Sequence, residues 1–109
     1  MHNSYLPKNP SQQQLSSLLD LYQKGRLNEA EKLALSLTND FPQHPFGWKV
    51  LGVLLGQTGR KFEAVDAFQT VVDLSPKDAE AHSNLGVILK DLGRLDEAEA
   101  SYTQAIALK

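Results

Sequence analysis

The 109-residue sequence contains no cysteine, one methionine, one tryptophan and no long apolar run. The lack of cysteine excludes disulfide bonds, thiolate zinc sites and a cysteine nucleophile. No apolar stretch approaches the length of about 20 residues that a membrane-spanning helix needs. The net charge is −2 and no run of basic residues exceeds two, so neither nucleic acid nor a membrane is expected as a partner. The first residues lack the pattern of a signal peptide, which favours a cytoplasmic location.

A 34-residue internal repeat dominates the rest of the sequence. Four residue types recur at this spacing, and prolines share it at Pro42 and Pro76. Repeats of this period indicate stacked supersecondary units. The recurring residues are Gly25, Gly59 and Gly93; Arg26, Arg60 and Arg94; Glu29, Glu63 and Glu97; and Ala30, Ala64 and Ala98.

Each unit is predicted to be two helices joined by a tight turn. Apolar residues recur at helical spacing on both sides of each repeated glycine, and glycine tolerates the positive φ that ends a helix. The predicted helices are 12–24, 28–40, 45–58, 62–74, 79–92 and 96–108. The chain then divides into a flexible lead at 1–10, a degenerate unit at 11–44, a second unit at 45–78 and a third at 79–109, truncated at its C-terminus.

Glycine inside a helix costs about 1 kcal/mol relative to alanine. Gly52 and Gly86 lie inside predicted helices, so a neighbouring helix is expected to approach closely there. We expect Ala64 and Ala98 to provide the small facing surface. Leu18 stands at the equivalent position of the first unit and predicts different packing. The aromatic residues expected to fill gaps between helices are Trp48, Phe62, Phe68 and Tyr102.

No catalytic constellation is found. The three histidines show no metal-like spacing, and no phosphate loop or nucleophile elbow is present. The glutamates recur with the repeat, which is typical of first-turn dipole partners and solvated faces. We therefore predict that the chain is not an enzyme, with no catalytic, cofactor-binding or metal-binding residue and no cofactor.

The residues that recur every 34 positions resemble the sequence pattern of the tetratricopeptide repeat (TPR) family. The resemblance implies an all-α fold, a right-handed superhelix of three helix-turn-helix TPR units. The second unit matches the family pattern more fully than the first, which keeps Leu21, Gly25, Ala30, Ala34 and Pro42. The matching residues are Trp48, Leu51, Gly52, Leu55, Gly59, Ala64, Phe68 and Pro76, then Leu85, Gly86, Leu89, Gly93, Ala98, Tyr102 and Ala105.

The resemblance also implies a function, because the first helices of such arrays line a concave groove. The chain is expected to be a protein-interaction scaffold or adaptor that binds a peptide or helix of a protein partner there. A chaperone-type carboxylate clamp is not expected, since Leu15, Leu19, Val50 and Glu80 occupy its positions. The predicted groove residues are Leu19, Tyr22, Lys49, Val53, Asn84, Val87 and Lys90.

Two alternatives remain open. The chain resembles bacterial TPR arrays, including those fused to O-glycosyltransferases. Those arrays carry a regularly spaced series of asparagines, and Asn84 matches one position of that series. It could therefore be the N-terminal substrate-recognition arm of a larger bacterial enzyme, such as a glycosyltransferase, sulfotransferase or methyltransferase. Alternatively, Tyr102, Ile106 and Leu108 have no later helix to cover them. This open C-terminal end is expected in a fragment of a longer array, or in a scaffold that self-associates through it.

Overall fold

The computed structural model describes residues 8–109, which form six α-helices and no strand. The all-α prediction is confirmed, and each predicted helix bound lies within one residue of the observed one. Of the flexible lead expected at 1–10, residues 1–7 lie outside the described residues, and Pro10 is buried. The helices are α1 (Gln12–Gln23), α2 (Leu27–Asp40), α3 (Pro45–Gln57), α4 (Lys61–Leu74), α5 (Ala79–Asp91) and α6 (Leu95–Ala107).

The first helix of each pair begins at a side-chain cap. The Ser11 hydroxyl accepts the Gln14 N–H at 3.1 Å, and the Gln14 side chain accepts the Ser11 N–H at 2.7 Å, which is a capping box. The Asp78 carboxylate accepts the Ala81 N–H at 3.1 Å at the start of α5. These bonds satisfy backbone donors that a helix leaves free at its N-terminus.

Glycine ends each of these first helices in the left-handed region. The residue after each glycine donates its N–H to a carbonyl five positions earlier, at 2.8–3.0 Å. A side chain at such a φ is strained, so the recurring glycine is explained by the backbone alone. The φ values are 73°, 82° and 78° at Gly25, Gly59 and Gly93.

The helix pairs stack into an elongated molecule of 47 × 29 × 23 Å. Each first helix packs on the second helix of its own pair, and α3 and α5 also pack on the second helix of the preceding pair. The first helices touch one another little, and α3 and α5 meet at only a few positions. A furrow therefore remains open along α1, α3 and α5.

Two of the glycines inside helices lie directly against aromatic rings. A Cβ atom on Gly52 would lie 2.8 Å from the ring of Phe68, and one on Gly86 would lie 3.0 Å from the ring of Tyr102. The expected close approach of the helices is confirmed. However, the nearest atoms belong to the rings and not to the repeated alanines, which are buried without being the closest neighbours.

The first helix pair reverses this size relation. Leu18 occupies the glycine position and Ala34 the position of the aromatic ring, and both are fully buried. The large side chain thus comes from the first helix and the small one from the second. A volume-conserving exchange of this kind is the type that protein cores tolerate best.

The aromatic residues divide between core and surface. Phe68 is buried, while Trp48 and Tyr102 are half-buried, and the Trp48 indole N–H donates to the Pro42 carbonyl at 2.9 Å. The expectation for Phe62 was wrong, because its residue surface is 72% exposed. It lies in the first turn of α4, on the side that no neighbouring helix covers.

We predict that Gly86→Leu lowers the free energy of unfolding by about 1–3 kcal/mol, since overpacking against Tyr102 outweighs the gain in helix propensity. Denaturant unfolding measures the change. The double variant Gly86→Leu/Tyr102→Ala copies the arrangement of Leu18 and Ala34 and should recover most of the loss. A single variant at least as stable as the wild type would contradict this account of the packing.

Candidate functional site

The furrow along the three first helices, termed the inner groove, contains a pocket of about 450 Å³ between α1, α3 and α5. Its floor is apolar, and its rim carries an ion pair, a phenol and a carboxamide. Leu19 is 43% exposed there, although it is a large apolar residue. The pocket is lined by Leu19, Tyr22, Lys49, Val50, Val53, Glu80 and Asn84.

A second pocket of about 270 Å³ adjoins the first and shares Val53 and Asn84 with it. Phe68 of α4 borders this pocket but is only 2% exposed. Val87 adds an apolar wall that is 45% exposed. The lining residues are Val53, Gly56, Gln57, Phe68, Asn84, Val87, Ile88 and Asp91.

Six of the seven predicted groove residues line these two pockets. Leu19, Tyr22, Lys49, Val53 and Asn84 surround the larger one, and Val87 lies in the smaller one. The structure places Lys90 elsewhere, in a pocket formed with residues of α6. Their role in binding a partner stays a prediction. Phe68 was not anticipated at the groove.

Lys49 forms ion pairs within the protein. Its Nζ lies 2.5 Å from Asp78 Oδ2 and 3.2 Å from Glu80 Oε1, so it bridges α3 to the start of α5. Both side chains of the closer pair are about three-quarters buried. Lys49 therefore holds two groove helices at a fixed spacing, and Glu80 remains the more exposed of its two partners.

The pKa values of this pair shift in the directions that favour both charges. Burial alone would lower the pKa of Lys49, but its bonds to Asp78 and Glu80 outweigh this and raise it. Burial likewise acts to raise the pKa of Asp78, while the bonds from Lys49 and from the Ala81 N–H outweigh it and lower the pKa. The ion pair therefore stabilises the fold near neutral pH.

Further polar contacts between helix pairs were not anticipated from the sequence. The Gln57 carboxamide donates to the Tyr22 hydroxyl at 3.2 Å, joining α3 to α1 within the groove. On another surface, both terminal nitrogens of Arg60 donate to the carboxylate of Glu31, one of them at 2.8 Å. This bond from Arg60 lowers the pKa of Glu31. Contacts between residues about 30 positions apart depend on the register of the stacked pairs.

Within residues 8–109, no three or more His, Asp or Glu side chains gather in a way that could hold a metal ion. The structure likewise contains no helix, among those it describes, that is both long and apolar enough to cross a membrane. The groove offers apolar contact, carboxamides and a paired charge. These groups can hold a polypeptide by packing and hydrogen bonding.

The stacked helix pairs and their furrow define a helical-repeat protein of the solenoid class. Two TPR models match the chain, one described as "Tetratricopeptide repeat" at residues 79–109 and one as "TPR repeat" at residues 52–93. Together they cover residues 52–109, which is more than half of the sequence. The chain belongs to the tetratricopeptide repeat family.

Known proteins agree with this assignment. TPR repeat-containing protein MJ1428 of Methanocaldococcus jannaschii is 28% identical over 61 residues, which are 56% of this chain and 11% of that protein. A structure of MamA from AMB-1 superposes with a TM-score of 0.81 and 25% identity, covering 87% of this chain and 52% of that one. The chain thus spans about a tenth of the first relative and about half of the second.

A third similar protein is the type III secretion chaperone SycD of Yersinia enterocolitica, in complex with a peptide of the translocator YopD. The TM-score is 0.83 at 22% identity, with coverage of 88% of this chain and 73% of that one. At this identity the likeness concerns the fold. The expected resemblance to transferase-fused arrays stays a prediction.

The Lys49–Asp78 ion pair makes the stability of the fold depend on pH. Because folding lowers the pKa of Asp78, its contribution is fully present above the unfolded-state value of about 4 and is lost as the pH falls through the folded-state value. Asp78→Asn keeps a capping oxygen but removes the charge. We expect its melting temperature at pH 7 to be lower by roughly 4–8 °C, for a contribution of about 1 kcal/mol.

Melting curves between pH 7 and pH 3 test this, with Asp73→Asn on α4 as a control away from the groove. The wild type should lose more stability than Asp78→Asn over this range. Parallel pH profiles for these two proteins would show that the ion pair contributes nothing.

Proposed function

We propose that this chain is a non-catalytic protein-interaction module that binds a peptide segment of a partner along the inner groove. The observation that carries the proposal is the pair of adjoining pockets, which combine exposed apolar walls with carboxamide and hydroxyl groups. Exposed apolar surface rimmed by polar groups is typical of interaction sites. Preformed concave surfaces of this type are how repeat solenoids engage extended ligands.

The groove suits a segment with two apolar side chains and a hydrogen-bonding backbone. One apolar side chain would pack on Leu19 and Val53, and the other on Val53 and Val87. Asn84 lines both pockets, and its carboxamide can donate to and accept from a peptide backbone passing between them. Lys49 contributes less to specificity than a free cation would, because Asp78 and Glu80 already bind it.

The SycD complex supports this proposal by analogy, because a protein of the same fold is bound there to a peptide of another protein. The fixed spacing of the groove helices also supports it. The Lys49 ion pairs and the Gln57–Tyr22 bond order the groove before a partner arrives. Less conformational entropy is then lost on binding.

A displayed library of random peptides, selected on the full chain, tests the proposal without knowledge of the natural partner. The dissociation constants of the selected peptides are then measured against variants. Val53→Asp places a charge between the two pockets and should weaken binding by about tenfold or more, as expected for a central apolar contact. Asn84→Ala should weaken it by a smaller factor.

Phe62→Asp is the matched control, because it makes the same kind of change at an exposed apolar residue outside the groove. It should leave the affinity unchanged, and circular dichroism confirms that each variant is folded. Peptides that lose affinity with Phe62→Asp but not with Val53→Asp would contradict groove binding. A library that yields no specific peptide would also count against it.

A further inference from the structure

One side of α5 gives the inner groove a carboxylate at each end. The residues concerned are spaced by four, three and four positions, so they lie in one line along the helix. Two of them line the larger pocket and three line the smaller one, with Asn84 common to both. This line, termed the α5 stripe, consists of Glu80, Asn84, Val87 and Asp91.

The carboxylate of Glu80 is only partly neutralised within the protein. Its Oε1 accepts one hydrogen bond from Lys49 at 3.2 Å, and the same ammonium group lies closer to Asp78, at 2.5 Å. One cation therefore serves two carboxylates. The side chain of Glu80 is 71% exposed beside the larger pocket, so its Oε2 can accept a hydrogen bond from a cation that enters the groove.

The carboxylate of Asp91 is unfavourable for its own helix. Asp91 is the last residue of α5, where a negative charge opposes the helix dipole. The equivalent last residues of α1 and α3 are the uncharged Gln23 and Gln57. Among residues 8–109 Asp91 pairs only with Lys61, at 3.8 Å, and both side chains are more than a third exposed, so this ion pair contributes little. Helix stability thus gives no reason for a carboxylate here.

The charges around the two pockets are unequal. Three carboxylates share two ammonium groups, and α1 adds no charged side chain to the pocket linings. An acidic segment or a free C-terminal carboxylate would meet like charge at either end of the α5 stripe, which is a repulsive contact. A basic side chain at each end would instead form a charge-assisted hydrogen bond.

We infer that the inner groove selects an extended peptide segment with a basic residue on each side of its apolar anchors. This inference rests on the binding function proposed above and specifies the chemistry of the partner. The two carboxylates are eleven residues apart on α5, which is about 16 Å along the helix axis. An extended chain advances about 3.3 Å per residue, so the two basic residues lie about five positions apart.

Each part of such a segment has a contact in the groove. One basic side chain pairs with Glu80 at the larger pocket, and the other pairs with Asp91 at the smaller one. The apolar side chains between them pack on Val53 and Val87, while Asn84 bonds the backbone. Both chain directions satisfy this arrangement, because the two ends of the α5 stripe carry the same charge.

The sequences of the peptides selected from the displayed library give the first test. Pairs of lysine or arginine roughly four to six positions apart should be enriched several-fold over the unselected library. For one such peptide, replacing both basic residues by glutamine should weaken binding to the full chain by about tenfold. Glutamate at both positions should weaken it further, and raising the salt concentration should reduce the difference between these peptides.

Charge exchange between protein and peptide gives the second test. Glu80→Gln and Asp91→Asn should each weaken binding of the selected peptide by about threefold, as expected for exposed ion pairs. Asp91→Lys should weaken it by about tenfold. A version of the peptide with glutamate at one of its two basic positions should then recover the affinity for Asp91→Lys. A merely structural effect of the substitution would give no such recovery.

Glu63→Gln is the matched control, because Glu63 is an exposed glutamate on α4 that lies outside both pockets. It should leave the dissociation constant unchanged. Peptides that lose affinity with Val53→Asp but keep it with Glu80→Gln and Asp91→Lys would overturn this inference and leave groove binding in place. Selection of acidic peptides would also overturn it. A library that yields no groove-binding peptide would overturn the proposed function together with the inference.

Discussion

The close approach of a backbone glycine to an aromatic ring determines how each of the last two helix pairs is built. Phe68 and Tyr102 lie where any Cβ on Gly52 or Gly86 would collide with them. Each glycine lowers the stability of its helix. The contact that the glycine permits offsets this loss, because a large aromatic ring packs between the two helices of the pair. The first pair meets the same spatial requirement with Leu18 and Ala34. The constraint is therefore the combined volume at the crossing, whichever helix supplies it.

This packing fixes where the first helices lie, and the inner groove follows from their positions. Each is held against its own second helix, and α3 and α5 are also held against the preceding one. The first helices are left with one side free, and Val53 and Asn84 form a continuous lining between two pockets there. The ion pair of Lys49 with Asp78 then sets the spacing across the furrow. The proposed binding function thus depends on the surfaces that the stacked helices form.

Local features were predictable from the sequence, and contacts between helix pairs were not. The 34-residue period and the positive-φ glycines locate all six helices to within a residue, because caps and turns depend on neighbours in the chain. The prediction for Phe62 was wrong because the apolar character of a residue does not show which side of α4 is covered by a neighbouring helix. Lys90 lies beside α6 for a similar reason, since its helical position faces the end of the stack. The Arg60–Glu31 bond depends on the register between pairs, which composition does not encode.

The most direct test of groove binding is nuclear magnetic resonance on the isotope-labelled full chain, recorded with and without a peptide selected on it. Amide shifts report the location of contact independently of any substitution. The account predicts that the largest changes fall on α1, α3 and α5, at Tyr22, Val53, Asn84 and Val87. Changes confined to the outer sides of α2 and α4, around Phe62, would contradict the assignment of the inner groove as the binding surface.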